Sequence, residues 1–317
     1  MVEVSIVICT RNRANQLDAA LQALTDIRSE HEWEAIILDN GSTDHTGEVI
    51  AEFAARDSRF HHAHEPQPGL GAARDTAWRA ARGRIVSFTD DDCYVATDYV
   101  DRLMEAFSKR PQAGYLGGRI LLHDPTDAPV TIMTRETPFD IPPRSYVAAG
   151  LLQGANLAFR RDVLEAIDGF SRDMGAGTPF PCEDIDAVAM ASWKGFAGGY
   201  DPGPTVSHHH GRKLADIARL RSGYDAGRAA YFAKFIARSE SRKAYLAGFL
   251  HQPHATPLLE NVARSWRYLV LGTRYLRRHR QVAAMLPFVG AVAVQPIACA
   301  ILYGRAKLSG MRTANNA

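Results

Sequence analysis

Ile85-Val86-Ser87-Phe88-Thr89-Asp90-Asp91-Asp92 joins a short apolar run to three successive carboxylates. The β-forming residues Ile85–Phe88 predict a strand that runs straight into the acids. Three adjacent carboxylates repel one another unless a cation neutralises them. A divalent ion held by one or two of their oxygens, with a ligand's phosphates completing the shell, would remove that cost. A solvated acidic turn capping the next helix explains a lone triplet as well, so the neighbouring segments decide between the two.

Working back towards the N-terminus, Val4–Cys9 is an apolar β-rich run that ends at the polar loop Thr10–Arg13. In residues 14–27, Leu17, Ala20, Leu21 and Leu24 fall on one helical face. Trp33–Leu38 is a second strand, stopped by Asp39-Asn40-Gly41-Ser42. Ser42 or Thr43 is expected to cap a helix that includes Val49, Ile50 and Phe53. Phe60–His64 reads as a third strand and residues 70–82 as a helix rich in Ala and Arg. Strand–helix alternation with short loops predicts an α/β domain with a largely parallel sheet. Ligands of such sheets sit beyond the carboxyl ends of the strands. Thr10–Arg13, Asp39–Ser42 and Asp90–Asp92 would therefore line one rim, which lowers the weight of the acidic-turn reading.

Beyond the acids, Tyr115–Leu122 reads as a strand and residues 123–146, with five prolines, as a long irregular loop of the functional or mobile kind. Gly154–Phe159 is ordered again, Arg161–Ile167 is a short helix, and the loop Gly175–Pro181 leads to a helix over Glu183–Lys194 ended by Gly195. Val206 leads into His208-His209-His210.

The chain has 317 residues with 46% hydrophobic and 23% charged. That composition excludes disordered, collagen-like and low-complexity classes. The formal charge of +2 conceals an asymmetry: residues 1–200 hold 19 Lys and Arg against 30 Asp and Glu, and residues 201–317 hold 18 against 5. An acidic half suited to cations precedes a basic half suited to an anionic partner. Cys9, Cys93, Cys182 and Cys299 are scattered singly and read as reduced cytosolic thiols, not as staples or a zinc cage. The N-terminus shows no secretory pattern, so a cytoplasmic location is expected.

Other segments have both a functional and a plainer explanation. Asp39 to Asp44 forms a turn and cap, yet neither role needs two flanking acids. Gly69–Arg74 opens a helix where backbone N–H groups could meet an anion and Arg74 could reach a phosphate or the base. Glu183-Asp184 starts a helix, where the dipole favours acids, and a loop–helix junction also presents a general base well. One of the three histidines is a candidate ligand or phosphate contact.

These segments, in this order, resemble a family 2 glycosyltransferase of the GT-A fold over residues 3–210. The resemblance rests on Ser5–Arg13, Leu38–Asp44, Gly69–Arg74, Phe88–Asp92, Gly154–Arg161 and Glu183–Asp186. It implies that Thr10, Arg11, Arg13, Asp39, Gly41, Arg74, Asp90 and Asp91 surround a nucleotide-sugar donor, a UDP-sugar foremost, with Asp39 accepting a hydrogen bond from the base. It implies Mg²⁺ or Mn²⁺ on Asp92 and Asp90, helped by His208 or His210. Asp184, with Glu183 beside it, would be the catalytic base, and Gly154 and Asn156 would border the acceptor. The implied reaction is an inverting transfer of a hexosyl or N-acetylhexosaminyl group to a saccharide or lipid-linked hydroxyl in polysaccharide or surface-glycan synthesis. Asp75, Asp168 and Met190 depart from the family's usual Asn, Gly and Arg. A sugar nucleotidyltransferase would not need Glu183-Asp184. A non-catalytic nucleotide-sugar-binding subunit would have no reason to keep repelling carboxylates.

Domain boundaries are expected at 1–211, catalytic, and 212–317, basic and mainly helical. Residues 282–304 carry no formal charge and have Arg277, Arg278 and Arg280 before them and Arg305 and Lys307 after. An in-plane or re-entrant attachment to the inner face of the cell membrane, a buried helical pair or dimer contact, and a true span are the three readings of this run. Its apolarity favours a membrane surface over nucleic acid for the basic tail. A homo-oligomer stays open.

Overall fold

The computed structural model describes residues 1–250 and 258–295. They form two compact units, Met1–Leu220 and Arg221 onward.

In the first unit the apolar runs become strands β1 (Val4–Thr10), β2 (Trp33–Asp39), β3 (Phe60–His64) and β4 (Ile85–Asp90). Helices α1 (Ala14–Thr25), α2 (Thr46–Arg56) and α3 (Leu70–Ala80) alternate with them. These four strands pair in parallel in the order β3-β2-β1-β4. Then follow β5 (Cys93–Val95), α4 (Tyr99–Lys109), β6 (Ala113–Leu122), β7 (Phe139–Ile141), β8 (Asn156–Arg160), α5 (Arg161–Ile167), α6 (Glu183–Trp193) and β9 (Ala197–His208). The nine-stranded sheet runs β3-β2-β1-β4-β8-β6-β9-β5, with β7 on β9. Only its second half is mixed, because β8 lies antiparallel to both β4 and β6.

Two layers of helix sandwich the sheet. Val4, Ile6 and Ile8 of β1 and Ala35 and Ile37 of β2 meet Leu17, Leu21 and Leu24 of α1, Ile50 and Phe53 of α2, and Leu103 and Phe107 of α4 in one cluster. Burying each large side chain contributes roughly 1.5–3 kcal/mol. On the opposite face Phe88 packs edge-on against Phe159 and Phe170.

Three local expectations change. Neither Ser42 nor Thr43 caps α2; the helix begins at Thr46, whose backbone N–H donates to Asp44 Oδ1 at 3.0 Å. Ser42 Oγ instead accepts from the Asn12 N–H across the rim, at 2.9 Å. The irregular segment 123–146 contains β7 and a bridge from Ile120 to Met133. The strand before the histidines is twelve residues long and tolerates Pro202 and Pro204 because its pairing with β6 shifts register around them.

In the second unit, α7 (Ile217–Ala237, entering from the first), α8 (Arg242–Leu250) and α9 (Leu258–Arg278) follow. Its core is aromatic: Tyr231, Phe232, Phe235, Tyr245, Phe249 and Tyr268 are all buried. Arg242 donates to the Ile236 and Ala237 carbonyls at the end of α7. Of the uncharged run 282–304, residues 282–295 are described. Phe288 lies against Gly272 of α9, and the Gln295 amide accepts from Ser265 at 3.2 Å. One face of residues 282–295 is thus buried within the unit. The opposite face leaves Val282, Leu286 and Val289 exposed. Among the described residues no helix is long and apolar enough to cross a membrane, and residues 296–304 lie outside them.

Candidate active site

The parallel register brings the three polar loops together. Thr10 stands opposite Asp39, and Cys9 opposite Asp90, at the carboxyl ends of β1, β2 and β4. Thr10 Oγ1 donates to Asp91 Oδ2 at 2.7 Å. The Arg13 guanidinium reaches Asp91 Oδ1 at 3.3 Å and Asp92 Oδ2 at 2.8 Å. Asp39 Oδ1 accepts the Ser42 N–H, which with Gly41 at φ +73° fixes the turn after β2. Arg11 is exposed at the same rim.

The three acids face different surroundings. Burial drives Asp91 up to about 6 against the pull of Arg13 and Thr10. Burial likewise raises Asp90, Arg74 opposing it. Burial also presses on Asp92, but the nearby His208 imidazole, with Arg13, holds it below the usual carboxylate range. Asp90, Asp92, Cys93 and His208 each offer one donor atom, and these atoms lie within 4.8 Å of one another. His208 Nε2 is 3.2 Å from Asp92 Oδ1, a buried oxygen that accepts no well-directed hydrogen bond. Two carboxylates and an imidazole converging around a buried oxygen without an aligned hydrogen bond are a donor set that fits a divalent cation.

His210 is not part of this group. Its imidazole is buried beside Asp127, which also binds Lys213 Nζ at 2.6 Å and the Gly211 N–H at 2.8 Å. Residues two apart on an extended chain share a face, and the His208 and His210 rings do meet edge-on at 5.0 Å, but the strand ends at His208 and His210 turns its Nδ1 to Asp127 instead.

Arg74 also departs from expectation. Its side chain is 3% exposed and faces carboxylates inside the protein, not an open phosphate site. Nη2 holds Asp90 Oδ1 at 2.9 Å and the Gly154 carbonyl at 3.1 Å, while Nη1 holds Glu183 Oε1 at 2.9 Å. Burial would favour the neutral guanidine, but Glu183, Asp90 and Asp184 keep it firmly charged. Burial pushes Glu183 up to about 7, with Arg74 opposing. The start of α3 is not an open anion cradle either, since the Leu70 and Gly71 N–H groups donate to Ala176 and Met174 carbonyls.

Asp184, half-buried at the start of α6, accepts the Gly154 N–H on Oδ2 at 2.8 Å and the Ile185 N–H on Oδ1 at 2.7 Å. Gly154 is thus clasped from both sides, its carbonyl by Arg74 and its N–H by Asp184. Asn156 does not line the cleft. Its amide is spent inside the sheet, accepting from Tyr99 Oη and donating to the Arg119 and Pro204 carbonyls.

Sequence reasoning passed over several contributors. Asn40 donates to the Glu65 and Gln67 carbonyls and accepts the Gly69 N–H, pinning the loops after β2 and β3 together. Asp75 and Asp168, which stood out only as departures from the family's usual residues, both bind Arg79, and Asp75 also receives Trp78 Nε1 and Arg172, so an acid at position 75 serves packing. Cys93 joins the donor group although nothing in its spacing suggested it.

The model of the Glycosyl transferase family 2 matches residues 5–167, just over half of the chain. EpsH of Bacillus subtilis (strain 168), described as a glycosyltransferase, is 27% identical over 168 residues, 51% of this chain and 48% of EpsH. The chain thus spans about half the length of that curated relative. Among solved structures, the mannosyltransferase PcManGT from Pyrobaculum calidifontis, in complex with GDP-Man and Mn²⁺, superposes with a TM-score of 0.59 at 18% identity, covering 95% of this chain and 86% of that one. S. aureus TarS 1–349, in complex with UDP-GlcNAc, gives 0.55 at 16% identity, covering 92% and 91%. Identities this low speak to the fold alone.

Proposed function

The chain belongs to glycosyl transferase family 2, and on that premise we infer that it transfers a sugar from a nucleoside-diphosphate sugar to a hydroxyl of a saccharide or lipid-linked acceptor, with inversion, in polysaccharide or surface-glycan synthesis. One observation carries the reading. A single buried guanidinium, Arg74, joins the ion-binding side of the cleft, through Asp90, to the Glu183–Asp184 pair.

Asp90, Asp92 and His208 would hold Mg²⁺ or Mn²⁺. Such an ion offsets the charge that gathers on the departing diphosphate. Thr10, Arg11, Arg13, Asp39 and Gly41 form the donor rim, with Asp39 towards the base. Asp91, tied to Thr10 and Arg13, orders that rim. Arg74 acts as a positioning residue. Gly154 borders the acceptor, since both its peptide groups are fixed next to Asp184. Asp184 takes the acceptor proton as the hydroxyl oxygen bonds to the anomeric carbon and the bond to the diphosphate breaks. The Gly154 and Ile185 N–H groups hold its two oxygens in place. A UDP-sugar is the first donor to try, as TarS 1–349 is solved with UDP-GlcNAc. PcManGT, solved with GDP-Man, puts guanosine donors next.

The catalytic part is assigned to residues 1–211 and attachment to the basic region 212–317, at the inner face of the cell membrane. Residues 261–295 hold six arginines and no carboxylate. Val262, Trp266 and Val270 stand one turn apart on α9 and are exposed, as are Val282 and Leu286. Exposed apolar side chains interleaved with arginines suit an anionic lipid surface, each cation contributing on the order of 1 kcal/mol near it.

A screen of UDP- and GDP-sugars with Mn²⁺, scoring nucleoside diphosphate release with and without lipid-linked acceptor, tests the assignment. Asp184→Asn is expected to lower turnover by about 10²–10⁴-fold while nucleotide affinity is kept. Wild-type turnover by that variant sinks the base.

A further inference from the structure

Cys93 opens β5 directly opposite His208 in the antiparallel pairing of β5 with β9. Directly opposed residues project from the same face of a sheet, so the thiol and the imidazole reach one place. The sulfur lies within 4.8 Å of donor atoms of Asp90, Asp92 and His208, and Cys93 is 1% exposed. A separate feature points to an ion there. Asp92 is 8% exposed, yet its Oδ1 accepts no well-directed hydrogen bond. An inward-facing carboxylate oxygen in that state is costly to bury, and a cation between it and the imidazole relieves the cost.

We propose that Cys93 is a further protein donor at the divalent-ion site, making it Asp90, Asp92, His208 and a thiolate. The proposal rests on the reading that this group binds a metal at all. Coordination forms a sulfur–metal bond and breaks the S–H bond; the proton leaves to solvent and no electrons change hands. Sulfur is a soft ligand, so the site distinguishes ions. Zn²⁺ and Co²⁺ engage it, whereas Mg²⁺ draws on the oxygens and keeps positions open for a diphosphate. Zn²⁺ on all four side chains would have its four-coordinate shell filled by the protein, with no position left open. It therefore competes with the ion that supports turnover.

Titration of the full-length protein with Co²⁺, followed by absorption, tests this without reference to activity. The expected result is a sulfur-to-cobalt charge-transfer band in the near ultraviolet that saturates at about one equivalent. The band disappears in Cys93→Ser and persists in Cys9→Ser. Cys93→Ser should also weaken Zn²⁺ binding by about tenfold or more while Mn²⁺ binding changes by less than about twofold. Cobalt bound without the band, in a manner abolished by Asp92→Asn, overturns the thiolate donor and leaves the metal reading standing. Absence of any cobalt or manganese binding overturns both. Should Cys93→Ser not fold, the wild-type band and its survival in Cys9→Ser and Cys182→Ser carry the test, and its loss in either refutes the proposal.

Discussion

Arg74→Met is the most demanding test of the site's construction. The guanidinium is 3% exposed and lies 2.9 Å from a carboxylate oxygen on each side, with Glu183 itself 7% exposed. Removing one partner of a buried pair leaves an uncompensated charge and costs about 3–5 kcal/mol. For a unit of this size that lowers the melting temperature by roughly 6–20 °C, at about 2–4 °C per kcal/mol. The loss has a definite pH dependence. Glu183 ionises at about 7 in the folded chain against an ordinary 4.5. A carboxyl raised on folding binds its proton more tightly in the folded state. Its stabilising effect is therefore present below about 4.5 and lost as pH rises through 7, a difference of about 3 kcal/mol. Without Arg74 the carboxyl rises further, so the deficit of the variant is small near pH 5 and grows as pH rises through and beyond 7. Glu183→Gln in the Arg74→Met background removes the stranded acid and should restore about 2 kcal/mol at the higher pH. Urea unfolding followed by tryptophan fluorescence measures all three proteins across that range. A deficit under about 0.5 kcal/mol near pH 8, one that does not change with pH, or no recovery in the double variant would refute the reasoning.

Asp92→Asn should abolish the rise in melting temperature on adding Mn²⁺, together with metal-dependent release of nucleoside diphosphate, as differential scanning fluorimetry and a coupled assay will show. Gly71→Ala should destabilise by about 2 kcal/mol or more, since a Cβ there would stand 2.2 Å from the Ser171 carbonyl oxygen and 2.3 Å from that of Met174; an unchanged urea midpoint contradicts this. Vesicles rich in phosphatidylglycerol should float with the wild-type chain, and Trp266→Glu with Leu286→Glu should remain at the bottom of the gradient while keeping its helical circular dichroism. Equal flotation of the two proteins, or equal binding to neutral phosphatidylcholine, removes the anionic-surface reading.

Much of the first unit is legible in the chain itself. Leu17, Leu21 and Leu24 are spaced as a helix that buries one face, and the strands before Asp39 and Asp90 alternate with helices in a way that admits few topologies. Parallel strands also place their carboxyl ends on one side, so the gathering of Thr10, Asp39 and Asp90 follows from topology alone. The assignment of individual side chains was less legible, because partners far apart in sequence set it. Arg74 reads as an exposed phosphate ligand until Glu183, 109 residues away, takes its guanidinium. Asn156 reads as an acceptor contact until Tyr99 and two carbonyls take its amide. His208 and His210 are equivalent on paper, and the end of β9 between them separates their fates.

The sequence by itself determined the alternation of strand and helix, the rim of acids at the strand ends, and the division of charge between an acidic half and a basic one. These are properties of local spacing and composition, which the chain carries whatever it later touches. The tertiary structure alone decided which donors share a centre. Cys93 meets His208 only because β5 and β9 pair in one register, and Arg74 meets Asp90 and Glu183 only because α3 and α6 bury their first turns together. Burial then sets the charge each group can hold, since a carboxylate's cost in the interior depends on the one cation within hydrogen-bonding reach.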